Sequence, residues 1–182
     1  MNYTSRYGDF LLRIFPVAIV LFYISACAVK PVSDLDSPEY HHKAGMRHVE
    51  IGQYNEALTS FNRAIDLDKK FAPAYAGMGI AHANLKNRKD AKKFANKAEG
   101  LADKDPDVLT LCARVWIDLR HQEKKWYKDA EKLLKKALKR KKNHEGATYY
   151  MGELYLYQYE FNQAEDQFRK VVEMKGEYSG KA

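Results

Sequence analysis

Residues that interrupt helices are scarce in this chain of 182 residues, which holds only five prolines and ten glycines. Apolar residues make up 46% of the chain, which is enough for one domain built largely from helices. There are only two cysteines, Cys27 and Cys112. Two cysteines exclude the disulfide framework that stabilises many small secreted domains.

Motifs for catalysis and for phosphate binding are also missing. The sequence has no glycine-rich phosphate loop and no nucleophile motif. His41 and His42 are neighbours that cannot both face one ion from a helix, and no cysteine or carboxylate completes a zinc set with them. Cys112 lies among leucine, alanine and valine, which is typical of a small buried side chain. We therefore predict neither an enzyme nor a bound cofactor or metal.

The start of the chain has the pattern of an export signal. Arg6 and Arg13 precede an apolar run over residues 14–29. These sixteen residues fall short of the roughly 20 that a membrane-spanning helix needs. The run contains Ile24-Ser25-Ala26-Cys27, which resembles the lipobox of bacterial lipoproteins.

The lipobox resemblance implies that Cys27 receives a lipid and that residues 1–26 are removed as a signal peptide. Ala28 would follow the lipidated cysteine, and the absence of an aspartate there points to the outer membrane, with the protein facing the periplasm. Residues 27–37 contain Pro31 and would form a short extended tether. The alternative is an uncleaved signal anchor with an incidental cysteine.

Small residues that let two helices approach closely recur at an interval of 34 residues. The first set and its copy are Gly45, Ala57 and Ala64, then Gly79, Ala91 and Ala98. Ala130 comes 39 residues after Ala91, so about five residues are inserted there, and Ala164 lies 34 residues after Ala130. Each copy describes a helix hairpin that cannot bury both of its apolar faces alone, so the copies must stack on one another.

Four copies at this period, with aromatic residues such as Tyr54 and Phe61 between the small ones, resemble the tetratricopeptide repeat family. The resemblance implies an all-α protein, an α-solenoid of about four stacked helix hairpins over residues 38–178. The third copy lacks the glycine of its first helix, and its extra residues are expected around 103–105 and 121–125. The expected repeats span about 38–71, 72–105, 106–144 and 145–178.

The resemblance also implies that the first helix of each hairpin lines a concave groove that suits an extended or helical peptide segment. The groove does not suit a chaperone tail read through its terminal carboxylate, because the family's lysine and asparagine for that task fall on His42 and Met46. The alternative is that these side chains only pack across a tight superhelix. The implied groove residues are His42, Met46, Val49, Glu50, Ile80, Asn84, Arg114, Tyr149, Glu153 and Tyr157.

The second helix of the third repeat carries one strongly basic face. The chain has a formal net charge of +7, which favours anionic partners. Phospholipid head groups, lipopolysaccharide phosphates or an acidic protein would fit this face, and nucleic acid is excluded by export. The alternative is a solvated convex surface without a ligand. The basic face consists of Lys128, Lys132, Lys135, Lys136 and Lys139.

These patterns predict a lipid-anchored scaffold or adaptor that binds protein partners in the bacterial cell envelope, as in the assembly of an envelope machine. The alternative is a structural envelope protein that binds an anionic polymer or membrane through its basic face. Phe168, Val171, Val172 and Met174 are expected to lie bare at the end of the fourth repeat, because no capping helix follows them. Such a surface predicts a homodimer, or a longer native protein.

Overall fold

The computed structural model describes residues 36–182, which contain eight helices and no strand. The predicted signal peptide, the predicted lipobox with Cys27 and most of the predicted tether lie outside the described residues. Within residues 36–182, no helix is both long and apolar enough to cross a membrane. The helices are α1 (Pro38–Glu50), α2 (Tyr54–Leu67), α3 (Ala72–Asn84), α4 (Arg88–Leu101), α5 (Pro106–Asp118), α6 (Trp126–Arg140), α7 (Glu145–Tyr157) and α8 (Phe161–Met174).

The helices pair as four hairpins that stack in chain order, α1 with α2, α3 with α4, α5 with α6 and α7 with α8. The first helices also contact one another along the stack, α1 to α3, α3 to α5 and α5 to α7, and so form an inner row. Each second helix packs against the first helix of the next hairpin. This arrangement is the expected α-solenoid, in which each hairpin packs on the next.

Glycines in the first helices make room for aromatic rings from the second. A Cβ on Gly45 would lie 2.5 Å from Cε1 of Phe61, and a Cβ on Gly152 would lie 2.7 Å from Cε1 of Phe168. Real carbon atoms do not approach so closely, because repulsion rises steeply inside van der Waals contact. The recurring glycine of the sequence pattern is therefore a packing requirement of the hairpin.

His144 begins α7 and ties it to α5. Its Nδ1 accepts the backbone N–H of Ala147 at 3.1 Å, so the ring proton sits on Nε2. Nε2 donates that proton to Oδ1 of Asp107 at 2.9 Å. One buried imidazole therefore caps a helix and joins two neighbours of the inner row, because it serves as acceptor on one edge and donor on the other.

The extra residues of the third repeat lie in its hairpin turn. This turn spans residues 119–125, whereas turns 51–53, 85–87 and 158–160 hold three residues each. The fifth extra residue is in α6, which is one residue longer than α4. The expectation of extra residues around 103–105 is wrong. The connection 102–105 is four residues long, and so are the connections 68–71 and 141–144.

The longer turn folds back onto the second repeat instead of extending into solvent. Gln122 Nε2 donates to the carbonyl oxygen of Ala83 at 3.1 Å, and Lys92 Nζ donates to Glu123 Oε2 at 2.8 Å. These bonds satisfy an inner-row carbonyl and connect residues distant in sequence. The insertion therefore fastens the second and third repeats together.

The apolar surface at the end of the fourth repeat differs from the expected one. Val171 is fully buried, because it belongs to the face of α8 that packs on α7. Val172 is 51% exposed and Phe161 is 60% exposed, and both line one shallow depression with Leu156 and Phe168. The exposed set therefore centres on Phe161 and Val172.

Candidate peptide-binding groove

The inner row of helices encloses a concave groove. Its larger part is a cavity of about 560 Å³ lined by α1, α5 and the start of α7, and by residues 177–181. A second cavity of about 230 Å³ continues along α5 and α7. Seven of the ten residues implied by the family resemblance line one cavity or both: His42, Met46, Glu50, Arg114, Tyr149, Glu153 and Tyr157.

The other three implied residues do not line these cavities. Val49 is 4% exposed and Ile80 is 0% exposed, so both belong to the core. The cause for Ile80 is the tight packing of α3, in which a Cβ on Gly79 would lie 2.9 Å from Val115 of α5. Asn84 is half-buried, and its side-chain amide contacts Asp118, which lines the groove.

A chain of polar side chains crosses the floor of the groove. Asn84 Nδ2 donates to Asp118 Oδ2 at 3.1 Å, and Arg114 Nε lies 3.9 Å from the same oxygen. Burial raises the pKa of Asp118, while Arg114 and the bond from Asn84 act in the opposite direction. Asn84 belongs to the second repeat and the other two residues to the third, so the network joins these two repeats at the floor of the groove.

Tyrosines form the wall of the groove that belongs to α7. The hydroxyl of Tyr149 donates to Glu153 Oε1 at 3.1 Å. Burial, together with the nearby Glu153 carboxylate, raises the pKa of Tyr149 to about 12, and burial also raises the pKa of Glu153. The ring of Tyr157 lies 4.3 Å from the guanidinium carbon of Arg120. This wall offers flat apolar faces with polar edges, which suits a peptide ligand.

His42 lies at the edge of the groove against two aromatic rings. The centroid of its ring is 5.8 Å from that of Phe61 and 5.9 Å from that of Phe71. Burial lowers the pKa of His42 to about 4, because charge is disfavoured in an apolar surrounding. The imidazole is therefore neutral at pH 7 and acts as an aromatic wall.

The comparisons with known proteins agree with this geometry. Residues 45–86 match the model of a family described as the TPR repeat. The chain folds as a tetratricopeptide repeat protein. Among curated protein sequences, none matches it. Tetratricopeptide repeat (TPR) solenoids generally act as scaffolds for protein interactions through their concave surfaces, and not as enzymes.

Solved structures show the same TPR fold at low sequence identity. A thermophilic TPR protein of Thermus thermophilus has a TM-score of 0.65 and 17% identity, over 76% of this chain and 74% of that one. A TPR protein of Parabacteroides merdae has a TM-score of 0.64 and 16% identity, over 81% of this chain and 56% of that one. MamA from Desulfovibrio magneticus has a TM-score of 0.52 and 18% identity, over 78% and 77%.

The basic face of the TPR domain is smaller than its sequence suggests. Lys136 is half-buried against the second repeat, where its Nζ lies 3.2 Å from Glu99 of α4 and 3.8 Å from Asp103 in the connection that follows. Lys135 is exposed but pairs with Glu131 at 2.6 Å. Lys136 therefore joins two repeats, and the exposed lysines of this face are Lys128, Lys132, Lys135 and Lys139.

Cys112 is a packing residue of the TPR core. It is 1% exposed, and its Sγ donates to the carbonyl oxygen of Ala95 at 3.4 Å. Burial raises the pKa of its thiol to about 12, so no reactive thiolate forms near neutral pH. Within residues 36–182, no group of three histidine, cysteine, aspartate or glutamate side chains is placed to hold a metal ion.

Sequence reasoning did not identify several residues of the groove. Tyr150, Glu145, Tyr178 and Lys181 all line it, yet none of them falls on a position that the family resemblance assigns to the groove. Residues 177–181 reach the groove through contacts with helices distant in sequence, and the 34-residue repeat pattern carries no information about such contacts.

Proposed function

We propose that this protein is a lipid-anchored scaffold of the bacterial cell envelope, held at the outer membrane by Cys27 and facing the periplasm. Its groove binds a protein partner, and the chain catalyses no reaction. The observation that carries the binding proposal is the composition of the groove. Three inner helices supply Glu50, Arg114, Tyr149, Glu153 and Tyr157 to one continuous concavity.

The groove composition contrasts with that of the surrounding core. The core positions of α3 are largely alanine and glycine, which pack closely without polar groups. The groove residues instead present aromatic rings and charged groups at a surface open to solvent. Rings combined with directional polar groups are typical of protein recognition surfaces, where tyrosine and arginine dominate the binding energy.

Site-specific photo-crosslinking would test partner binding. A photoreactive phenylalanine analogue at Tyr157 should yield a discrete crosslinked protein in cells. The same analogue at Tyr159, which is 80% exposed and lies outside the groove, should not. Crosslinks from Tyr159 alone, or from neither position, would contradict partner binding in the groove.

The lipid anchor is tested at Cys27. Cys27→Ala should abolish both acylation and cleavage after Ala26, because the thiol is the acceptor of the diacylglyceryl group. The unchanged chain should partition into the detergent phase, since stable anchoring takes two or more acyl chains. The measurement is metabolic labelling with a fatty acid, followed by phase separation. Unaltered processing and labelling of Cys27→Ala would show that the lipobox prediction is wrong. An unchanged chain that is neither cleaved nor labelled would leave the uncleaved signal anchor.

A second candidate function rests on the exposed part of the basic face. Lys132 and Lys139 are exposed on one side of α6 and have no ion-pair partner within residues 36–182. In this alternative they hold an anionic polymer or lipid surface and the groove stays idle. Lys132→Glu/Lys139→Glu should then abolish envelope function, while Tyr149→Phe/Tyr157→Ala should preserve it. Partner binding in the groove predicts the reverse.

A further inference from the structure

Residues 175–182 turn back from α8 into the concave groove. The turn begins at Lys175, whose left-handed backbone (φ 53°, ψ 32°) ends the helix and reverses the chain. Three backbone bonds shape the segment: Ser179 N–H donates to Gly176 O at 3.3 Å, and the N–H groups of Lys181 and Ala182 donate to Tyr178 O at 2.9 Å and 3.2 Å. The segment is short and compact, and three of its residues line the groove: Tyr178, Lys181 and Glu177.

Tyr178 is the first of these side chains. Its backbone N–H donates to Glu145 Oε1 at 3.0 Å. Its ring centroid lies 5.1 Å from that of Tyr149 and 5.8 Å from that of Tyr150, separations at which aromatic pairs attract. Gly146 leaves space for the Tyr178 ring, because a Cβ there would lie 3.3 Å from it, closer than an ordinary van der Waals contact.

Lys181 is the second. Its Nζ lies 3.7 Å from Glu50 Oε1 on α1, and 5.1 Å from the centroid of the Tyr178 ring. The segment therefore spans the groove from the fourth repeat to the first. Both members of the ion pair are nearly half exposed, at 46% and 48%. Exposed pairs of this kind contribute little to stability, so this contact is one that a competitor can replace.

The charge of the groove suits a cationic occupant. Apart from residues 177–181, its two cavities are lined by five carboxylates and three cations. Arg114 is one of the three, and it lies beside Asp118. The chain as a whole carries +7, so the groove is an acidic surface on a basic protein. The carboxylates are Glu50, Asp107, Asp118, Glu145 and Glu153.

We propose that residues 175–182 occupy the binding site of the partner and show its chemistry. The partner segment carries a tyrosine followed three residues later by a lysine or arginine, as Tyr178 and Lys181 do here. The tyrosine of the partner packs between Tyr149 and Gly146, where Tyr178 lies here, and its lysine or arginine pairs with Glu50. Residues 175–182 compete with it as a tethered ligand. This proposal rests on the proposed function, in which the groove binds a protein.

Peptide binding to the full chain in detergent micelles tests the proposal. The probe is a fluorescein-labelled peptide with the sequence of residues 175–182, followed by fluorescence anisotropy. A tethered competitor on a short linker acts at a millimolar effective concentration, so its release should tighten probe binding by about tenfold or more. The released variant is Tyr178→Ala/Lys181→Ala. The matched control, Tyr159→Ala/Lys170→Ala, removes the same residue types outside the groove and should bind as the unchanged chain does.

The recognition chemistry is tested in the released variant. A probe whose tyrosine is replaced by alanine, or whose second lysine is replaced by glutamate, should lose binding about tenfold. Adding Glu50→Lys should weaken the native probe and restore the glutamate probe, because the charges are exchanged. Equal binding to the released variant and the unchanged chain would overturn competition. Equal binding of all probes would overturn the tyrosine and lysine chemistry.

The two proposals fail in different ways. If Tyr157 crosslinks a cellular partner but no probe binds the released variant, partner binding stands and the inference about residues 175–182 is wrong. If the probes bind as expected but no partner crosslinks, the groove recognises this chemistry and the scaffold function is wrong.

Discussion

Gly152 holds a position that no larger side chain can take without displacing Phe168. Gly152→Leu should lower the free energy of unfolding by about 1–3 kcal/mol, because overpacking forces neighbouring side chains and backbone to shift. Gly100 is the matched control, since it is also helical and a Cβ there would meet nothing within 4 Å. Urea denaturation should show Gly100→Leu to be neutral or slightly stabilising. Equal losses from both variants would contradict the assigned helix contact.

His42 should make stability depend on pH. The histidine binds a proton near pH 6.5 when unfolded and only near pH 4 when folded. Between these values the unfolded chain binds more protons, so the stability that is complete above about pH 6.5 decreases as the pH falls toward 4. The urea midpoint measured from pH 7.5 to 4.5 should fall less steeply for His42→Leu, with the exposed His121→Leu as control.

Carboxyl groups of the groove give the opposite slope in part of the same range. Burial raises the pKa values of Asp118 and Glu153, so the folded chain gains protons there before the unfolded chain does. For that reason the test compares slopes between His42→Leu and the unchanged chain. An unaltered slope would show that His42 is solvated in the folded protein.

At the scale of the element, the three short hairpin turns share one backbone conformation. Gly52, Lys86 and Tyr159 occupy the middle of the three-residue turns with φ of 78°, 63° and 62°. In the second repeat, the following N–H, that of Asn87, donates to the carbonyl of His82 at 2.8 Å, which is the bond of a Schellman motif. Only one of the three turns uses glycine, the residue that adopts this conformation freely.

Lys86→Gly should therefore stabilise the second hairpin. The left-handed conformation costs a residue with a side chain about 1–2 kcal/mol. Glycine avoids this cost but loses more conformational entropy on folding, which offsets about 0.5–1 kcal/mol of the gain. The net gain should be below about 1 kcal/mol. Lys170→Gly, in the middle of α8, should lose about 1 kcal/mol. A loss of stability in both variants, measured by urea denaturation, would contradict the turn conformation.

The hairpins themselves could be predicted because their packing chemistry is local and periodic. The pair Gly45 and Phe61 recurs in register as Gly152 and Phe168. The α-solenoid that this recurrence predicted is confirmed. The position of the insertion was only half predicted, since 103–105 and 121–125 are equally polar. The turn at 119–125 is selected by contacts with the second repeat, which depend on the folded stack.

The site could be predicted only where the inner helices keep a free face. Arg114 and Tyr149 line the groove, whereas Ile80 is enclosed because α3 packs too closely against α5. Helix spacing alone does not reveal that difference. Peptide binding itself stays a prediction.

At the scale of the whole molecule, we expect the end of the fourth repeat to self-associate. Phe161, Val172 and Leu156 form an exposed apolar surface, and such surfaces are typical of interfaces. A form beginning after Cys27 should sediment as a dimer that Val172→Glu dissociates. Ile51→Glu is the control, because Ile51 is 68% exposed at the other end of the stack.

Val172 is exposed, whereas its neighbour Val171 is fully buried. Val171→Glu would place a charge in the core and unfold the repeat, so its loss of dimer would carry no information. A folded chain that remains monomeric at high concentration would rule out this interface.

The contact between Lys181 and Glu50 changes how the array should come apart. A linear solenoid loses its terminal repeats first, since each end has a single neighbour. Here the last residues reach the first helix, so the two ends share a contact and fraying at one end loosens the other. High salt weakens an exposed ion pair of this kind. Because such a pair contributes little to stability, amide exchange in the first and fourth repeats should rise together, but only slightly, as the ionic strength increases.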